Sequence, residues 1–106
     1  MPIDETLVQE MVRRVLRVAR PDRIILFGSA ASASMSPDSD IDLLVLEANP
    51  GDPRAESVRI REALRGLGFP FDIIVMATAR FEETRHLVGG IARPADKYGK
   101  VIYEAA

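Results

Sequence analysis

Arg23-Ile24-Ile25-Leu26-Phe27-Gly28-Ser29, followed after ten residues by Asp40-Ile41-Asp42-Leu43-Leu44-Val45-Leu46, decides the reading of this chain. Both apolar runs have the length and the β-branched content of buried strands. On a strand, side chains at i and i+2 share a face, so Asp40 and Asp42 form a two-pronged acidic site. Gly28-Ser29, closing the preceding strand, offers bare backbone N–H groups and a hydroxyl where a polyphosphate can approach closely. Taken alone, Gly28-Ser29 is as readily an ordinary turn, and the Ser/Ala-rich stretch 29–36 a flexible connector. Asp42 argues against so plain a reading, because an unpaired charge inside Ile41-Asp42-Leu43-Leu44-Val45 is costly to bury. The combination reads as a site for a metal and a nucleotide.

Working outward, helix and strand alternate around these runs. Ile3, Leu7, Val8, Met11, Val12, Val15, Leu16 and Ala19 recur at helical spacing, with Asp4 as N-cap and Pro21 just beyond the end. Strands are predicted over residues 23–27, 41–46 and 71–76. Asn49-Pro50-Gly51-Asp52-Pro53 marks a turn and a capped helix start, and that helix runs to about Arg65 before Gly66 and Gly68 stop it. Thr78 is a further N-cap, with helix over 79–85. A second helical piece near Pro94 leads to a short strand over 101–103. The strand-helix-strand unit favours a right-handed parallel crossover between the second and third strands. The first two are too close in sequence for one, so they pair antiparallel. The expected fold is α/β (α+β), a small mixed sheet with strands 1-2-3 as neighbours, flanked by helices in α-β-α-β-α-β order.

That topology brings a third carboxylate to the site. Asp42 and Asp72 each stand one residue into their strands, at the same end of two parallel neighbours, while Gly28 leaves the first strand where Asp40 approaches the second. Three clustered acids repel one another unless a cation intervenes. Mg²⁺ prefers oxygen ligands and is usually completed by substrate phosphate, so a divalent-metal nucleoside triphosphate fits the charge.

Composition bounds what this site serves. At 106 residues the chain is expected to be one domain, 1–106, with no room for a second substrate-binding domain. The absence of cysteine excludes disulfides and thiolate metal sites. The apolar runs fall far short of a membrane span, and Met1-Pro2-Ile3-Asp4-Glu5 is no signal peptide, so a cytoplasmic location is expected. A net charge of −2 gives no broad footprint for nucleic acid. His86, the sole histidine, lies outside the motif and reads as a surface or capping residue. Arg13, Arg14, Arg17 and Arg20 read as a solvated helix face, and Arg59, Arg61, Glu62 and Arg65 as a salt-bridged surface. Tyr98 and Tyr103 read as packing residues.

At Gly28, Ser29, Asp40, Asp42 and Asp72 the chain resembles the minimal nucleotidyltransferases of the DNA polymerase β superfamily. Their motif is Gly-Ser, a spacer, Asp-x-Asp and a later strand bearing a third acid. The tail from Ile91-Ala92-Arg93 to Val101-Ile102-Tyr103-Glu104 is similar too, so the likeness spans nearly the whole chain. The resemblance implies a nucleotidyltransferase of ATP with two Mg²⁺ ions. Asp40 and Asp42 would hold the nucleotide-side metal, Asp40, Asp42 and Asp72 the acceptor-side one, and Gly28 and Ser29 the terminal phosphates. Asp72 would act as general base or its metal-bound equivalent. Similar single-domain members are antitoxins of a small helical HEPN ribonuclease toxin, and some transfer AMP to a toxin tyrosine. A HEPN-type toxin is therefore the implied partner.

One departure stands out. Relatives commonly read Gly-Ser-Arg-Ala-Arg-Gly where this chain has Gly28-Ser29-Ala30-Ala31-Ser32-Ala33, so two basic positions and a glycine are missing. Arginines there would grip phosphate oxygens bidentately, and their loss weakens the expected hold on ATP. Three alternatives stay open: an antitoxin acting by contact alone, nucleotidyl transfer to a small molecule, and a purely structural module.

Overall fold

Asp4 begins the first helix by accepting a hydrogen bond from the Thr6 amide at 2.8 Å, and α1 then runs Glu5–Val18. The computed structural model describes residues 4–28, 40–84 and 99–106. Val8, Met11 and Val15 are the buried positions of α1, at the spacing expected of one helix face. Ile3, expected on that face, lies outside the described residues. Arg20 donates to the Leu16 and Ala19 carbonyls and covers the helix end before Pro21.

The strands follow as β1 (Arg23–Phe27), β2 (Ile41–Glu47), β3 (Phe71–Ala77) and β4 (Lys100–Glu104). They form one sheet in the order β3-β2-β1-β4. β1 pairs antiparallel with β2 and β4, whereas β2 pairs parallel with β3. The expected neighbours 1-2-3 are therefore in place, with the terminal strand added beside β1 and a register shift between Ile24 and Ile25. The described element order is α1-β1-β2-α2-β3-α3-β4, in which β1 and β2 come consecutively. The nearby expectation of a helical piece around Pro94 falls outside the described residues.

α2 spans Pro53–Ala63, with Asp52 as N-cap accepting from the Arg54 amide and Pro53 starting the first turn. It ends two residues before the expected Arg65, because the chain has turned by Gly66, whose φ of +88° continues no right-handed helix. α3 spans Thr78–Thr84, so Thr78 begins the helix rather than capping it from outside.

Period-two alternation splits the core into two layers. Ile41, Leu43 and Val45 of β2 pack with Met11, Val15, Ile60 and Leu64 beneath α1 and α2. Leu44 and Leu46 pack on the other face with Ile25 and Phe81 of α3, flanked by Phe27, Ile74 and Met76. Asp42 and Asp72 share the second face by the same alternation. Among the described residues, no helix is long and apolar enough to cross a membrane.

Candidate active site

The register settles how the acids meet. Asp42 is directly paired with Phe27 on one side and Asp72 on the other. Neighbouring strands lie about 4.8 Å apart, so two carboxylates on one face stand side by side. Asp42 is half-buried, while Asp40 and Asp72 are exposed. Burial first, and then the charges of Asp72 and Asp40, push the Asp42 carboxyl above the ordinary aspartate range. Both sequence-expected neighbours thus act on Asp42 electrostatically.

Gly28 closes the other side. Its φ is +69°, a left-handed conformation that side chains rarely adopt. A Cβ built there would lie 2.2 Å from Asp42 Oδ2. The glycine therefore leaves the space that the Asp42 carboxylate fills. Ser29, expected to join Gly28, lies outside the described residues, as do Ala30–Ala33 and His86.

Among the described residues, no group of three or more His, Cys, Asp or Glu side chains is gathered closely enough to hold a metal ion. The three aspartates are thus electrostatic neighbours without forming a closed cage. Their chemistry nevertheless suits a hard cation, since Mg²⁺ is commonly bound by one or two carboxylates, with waters and substrate phosphates supplying the rest. The raised proton affinity of Asp42 reflects first its burial and then the two acids beside it.

The arginines expected on the surface are largely engaged. Arg14 bonds Glu10 and also donates to the Arg65 carbonyl at 2.7 Å, tying α1 to the turn after α2. Arg13 pairs with Glu10, Arg59 with Glu56, and Arg65 with Glu62. Tyr103 is partly buried against the core, the packing role expected of it, whereas Tyr98 lies outside the described residues. An open cavity of about 630 Å³ lined by Asn49, Pro50, Val75, Met76 and Arg80 lies at the opposite end of β2 and β3. It contains no acid and is distinct from the aspartate group. Sequence reasoning missed a buried carboxyl pair at that far end, Glu47 and Glu56. Glu47, closing an otherwise apolar run, was its one local signal.

Residues 5–94 match the family model of the nucleotidyltransferase domain. Among curated proteins, no sequence matches the chain. Several solved structures share its fold. A toxin–antitoxin with AMP-PNP has TM-score 0.67 at 18% identity, covering 92% of this chain and 73% of that one. The tri-AMPylated Shewanella oneidensis HEPN toxin in complex with MNT antitoxin gives 0.69 at 17%, covering 97% and 74%. A mutant of the toxin–antitoxin MntA-HpeT gives 0.67 at 18%, covering 97% and 75%. The strand register that aligns Asp42 with Asp72, the glycine held against Asp42 and the match over residues 5–94 agree: this chain belongs to the nucleotidyltransferase domain family.

Proposed function

We propose that this chain transfers AMP from ATP to a tyrosine hydroxyl of a helical HEPN-type toxin and thereby acts as a cytoplasmic antitoxin. The observation that carries the proposal is Asp42, set between Gly28 and Asp72 with its carboxyl held above the ordinary range by burial and by two neighbouring acids. Membership of the nucleotidyltransferase family supports the reaction class. The partner and the transferred group are supported by likeness to an MNT antitoxin found with a tri-AMPylated HEPN toxin, and ATP by likeness to a toxin–antitoxin with AMP-PNP.

Asp40 and Asp42 are the residues that would hold a nucleotide-side Mg²⁺, and Asp72 would join them at an acceptor-side ion. Bound there, the metal supplies positive charge to the triphosphate and acidifies the attacking hydroxyl. Gly28 leaves room for the Asp42 carboxylate at the strand end, and the Gly28 and Ser29 backbone and the Ser29 hydroxyl are assigned to the terminal phosphates. Asp72, exposed on the edge strand, is open to an acceptor arriving on another protein and takes its hydroxyl proton. The hydroxyl oxygen bonds to the α-phosphorus, the bond from that phosphorus to the bridging oxygen breaks, and pyrophosphate leaves. In this reading residues 1–106 act as one nucleotidyltransferase domain, and the partner carries the acceptor.

The test separates chemistry from contact. Wild type and Asp72→Asn are incubated with labelled ATP, Mg²⁺ and the partner, and the partner is examined by mass spectrometry. Tyrosine-linked AMP is expected with wild type and not with the variant, while the two proteins dock equally. Neutralisation of an unmodified partner by both proteins would overturn the enzymatic reading. It would support the second one, inhibition by contact alone, which the absence of arginine from Ala30-Ala31-Ser32-Ala33 favours.

A further inference from the structure

Strands β2 and β3 run parallel and side by side, yet the chain leaves them toward opposite faces of the sheet. From the end of β2 it passes to α2, whose Ile60 joins the core layer beneath α1 and α2. From the end of β3 it passes to α3, whose Phe81 joins the other layer. Where adjacent parallel strands send their connections to opposite faces, the loops part and leave a crevice outside the carboxyl ends, the usual place for a ligand in such sheets. Asp42 and Asp72 stand near the amino ends of the same two strands, so the reaction proposed above makes no use of this crevice.

The crevice is the open cavity of about 630 Å³, a volume within the range of small-molecule sites. Pro50 and Pro53 wall it from the connection into α2, and Val75 and Met76 wall it from β3. The two proline rings fix φ on that side, which leaves the wall largely pre-formed. Arg80 is the one charged residue of the lining, and Asn49 adds an amide. Arg13, Arg14, Arg23, Arg59 and Arg65 each meet a glutamate. Arg80 is exposed on α3, and its carbonyl accepts the Thr84 hydroxyl, but its guanidinium has no ion pair among the described residues.

These walls discriminate by charge and polarity. A cationic ligand would meet Arg80 and no acid. A neutral apolar ligand would cover the guanidinium without replacing the water that solvates it, which is costly. A polyphosphate would bring several negative charges to a single arginine. A carboxylate on a short apolar body suits both parts, because a guanidinium takes a carboxylate through two parallel N–H bonds. We propose that the crevice at the carboxyl ends of β2 and β3 binds a small amphipathic monocarboxylate, with its head on Arg80 and its body against Val75, Met76 and the two prolines. The site is separate from the aspartates and does not depend on the transfer reaction.

The experiment follows the ¹H–¹⁵N amide spectrum of the full chain during titration with four probes: hexanoate, hexanol, hexylammonium and acetate. Hexanoate is expected to move the amides of residues 48–52 and 75–80 along one saturable curve in the millimolar range. Hexanol lacks the charge and acetate lacks the body, so each is expected to bind roughly tenfold more weakly, and hexylammonium not at all. Arg80→Gln is expected to leave the amides of the core unmoved and to weaken hexanoate by about tenfold, with Arg80→Lys, which keeps the charge but not the fork, in between. The site is overturned if hexanoate gives no saturable shift in these residues, if hexylammonium matches it, or if Arg80→Gln binds it as wild type does. The four-probe comparison needs wild type alone, so it decides the matter even if a variant fails to fold.

Discussion

Gly28 and Asp42 fit together as a hole and the group that fills it. The φ of +69° excludes most side chains on conformational grounds, and a Cβ would also meet Asp42 Oδ2 at 2.2 Å. The two effects differ in consequence. The carboxylate is the free end of a side chain and can swing aside, whereas the left-handed backbone keeps its strain, roughly 1–2 kcal/mol for a residue with a Cβ. Gly28→Ala should therefore leave a folded protein destabilised by about that amount, with Asp42 turned away from its place between Gly28 and Asp72. Urea unfolding reads the first effect. Calorimetric titration with Mg²⁺ and ATP reads the second, where a marked loss of affinity is expected beyond what partial unfolding explains. Unchanged affinity would mean that the orientation of Asp42 is not what the site depends on.

At the scale of elements, the exposed edge of the sheet beside the aspartates is braced from one helix. Among the described residues β3 pairs with β2 alone, and Ser57 of α2 donates its hydroxyl to the Ile73 carbonyl at 2.8 Å, next to Asp72. Ser57→Ala should cost about 1 kcal/mol, the typical net value of one such hydrogen bond, and should raise hydrogen exchange in β3 more than in β1. Equal effects on the two strands would assign Ser57 to general stability alone. The strands themselves were legible because each is a short apolar run bounded by glycine, proline or acid. Asp42 and Asp72 were legible as neighbours because each stands second in its strand, and a parallel pairing started at Ile41 and Phe71 puts them opposite. The end of α2 was less so, since Leu64 to Gly66 carry no sharper stop than the glycine itself. Glu47 and Glu56 were not legible as a pair, because nine residues and a change of element separate them, and only tertiary packing puts the helix over the strand end. Ser29 belongs to the motif on sequence grounds alone, its place lying outside the described residues.

Across the whole molecule, acids crowd both ends of β2, with Asp40, Asp42 and Asp72 at one and Glu47, Glu56 and Asp22 at the other. The two clusters differ in their setting: Glu47 and Glu56 are buried, whereas the aspartates lie more open, where a divalent cation suits them. Asp42 makes the distinction measurable. Its folded-state carboxyl lies above the unfolded value, so the folded chain binds that proton more tightly. Its contribution to stability is fully present below the ordinary aspartate range and is lost as the pH rises through the folded value. At neutral pH the charged Asp42 is therefore a cost to the apo protein, of the kind that binding sites carry. Asp42→Asn should raise the melting temperature at pH 7, and the gain should vanish in acid, where the wild-type carboxyl is itself protonated. Mg²⁺ with ATP should reverse the order. A ligand bound only by the folded state stabilises it by about 2.7 kcal/mol at a hundred times its dissociation constant, so wild type should gain several degrees while the variant gains little. Thermal melts of both proteins, with ATP alone, Mg²⁺ alone and the two together, give the comparison. If Asp42→Asn melts lower than wild type without ligand, the strain assigned to Asp42 is absent. If both proteins respond alike to Mg²⁺ and ATP, the aspartates are not where the metal-bound nucleotide sits.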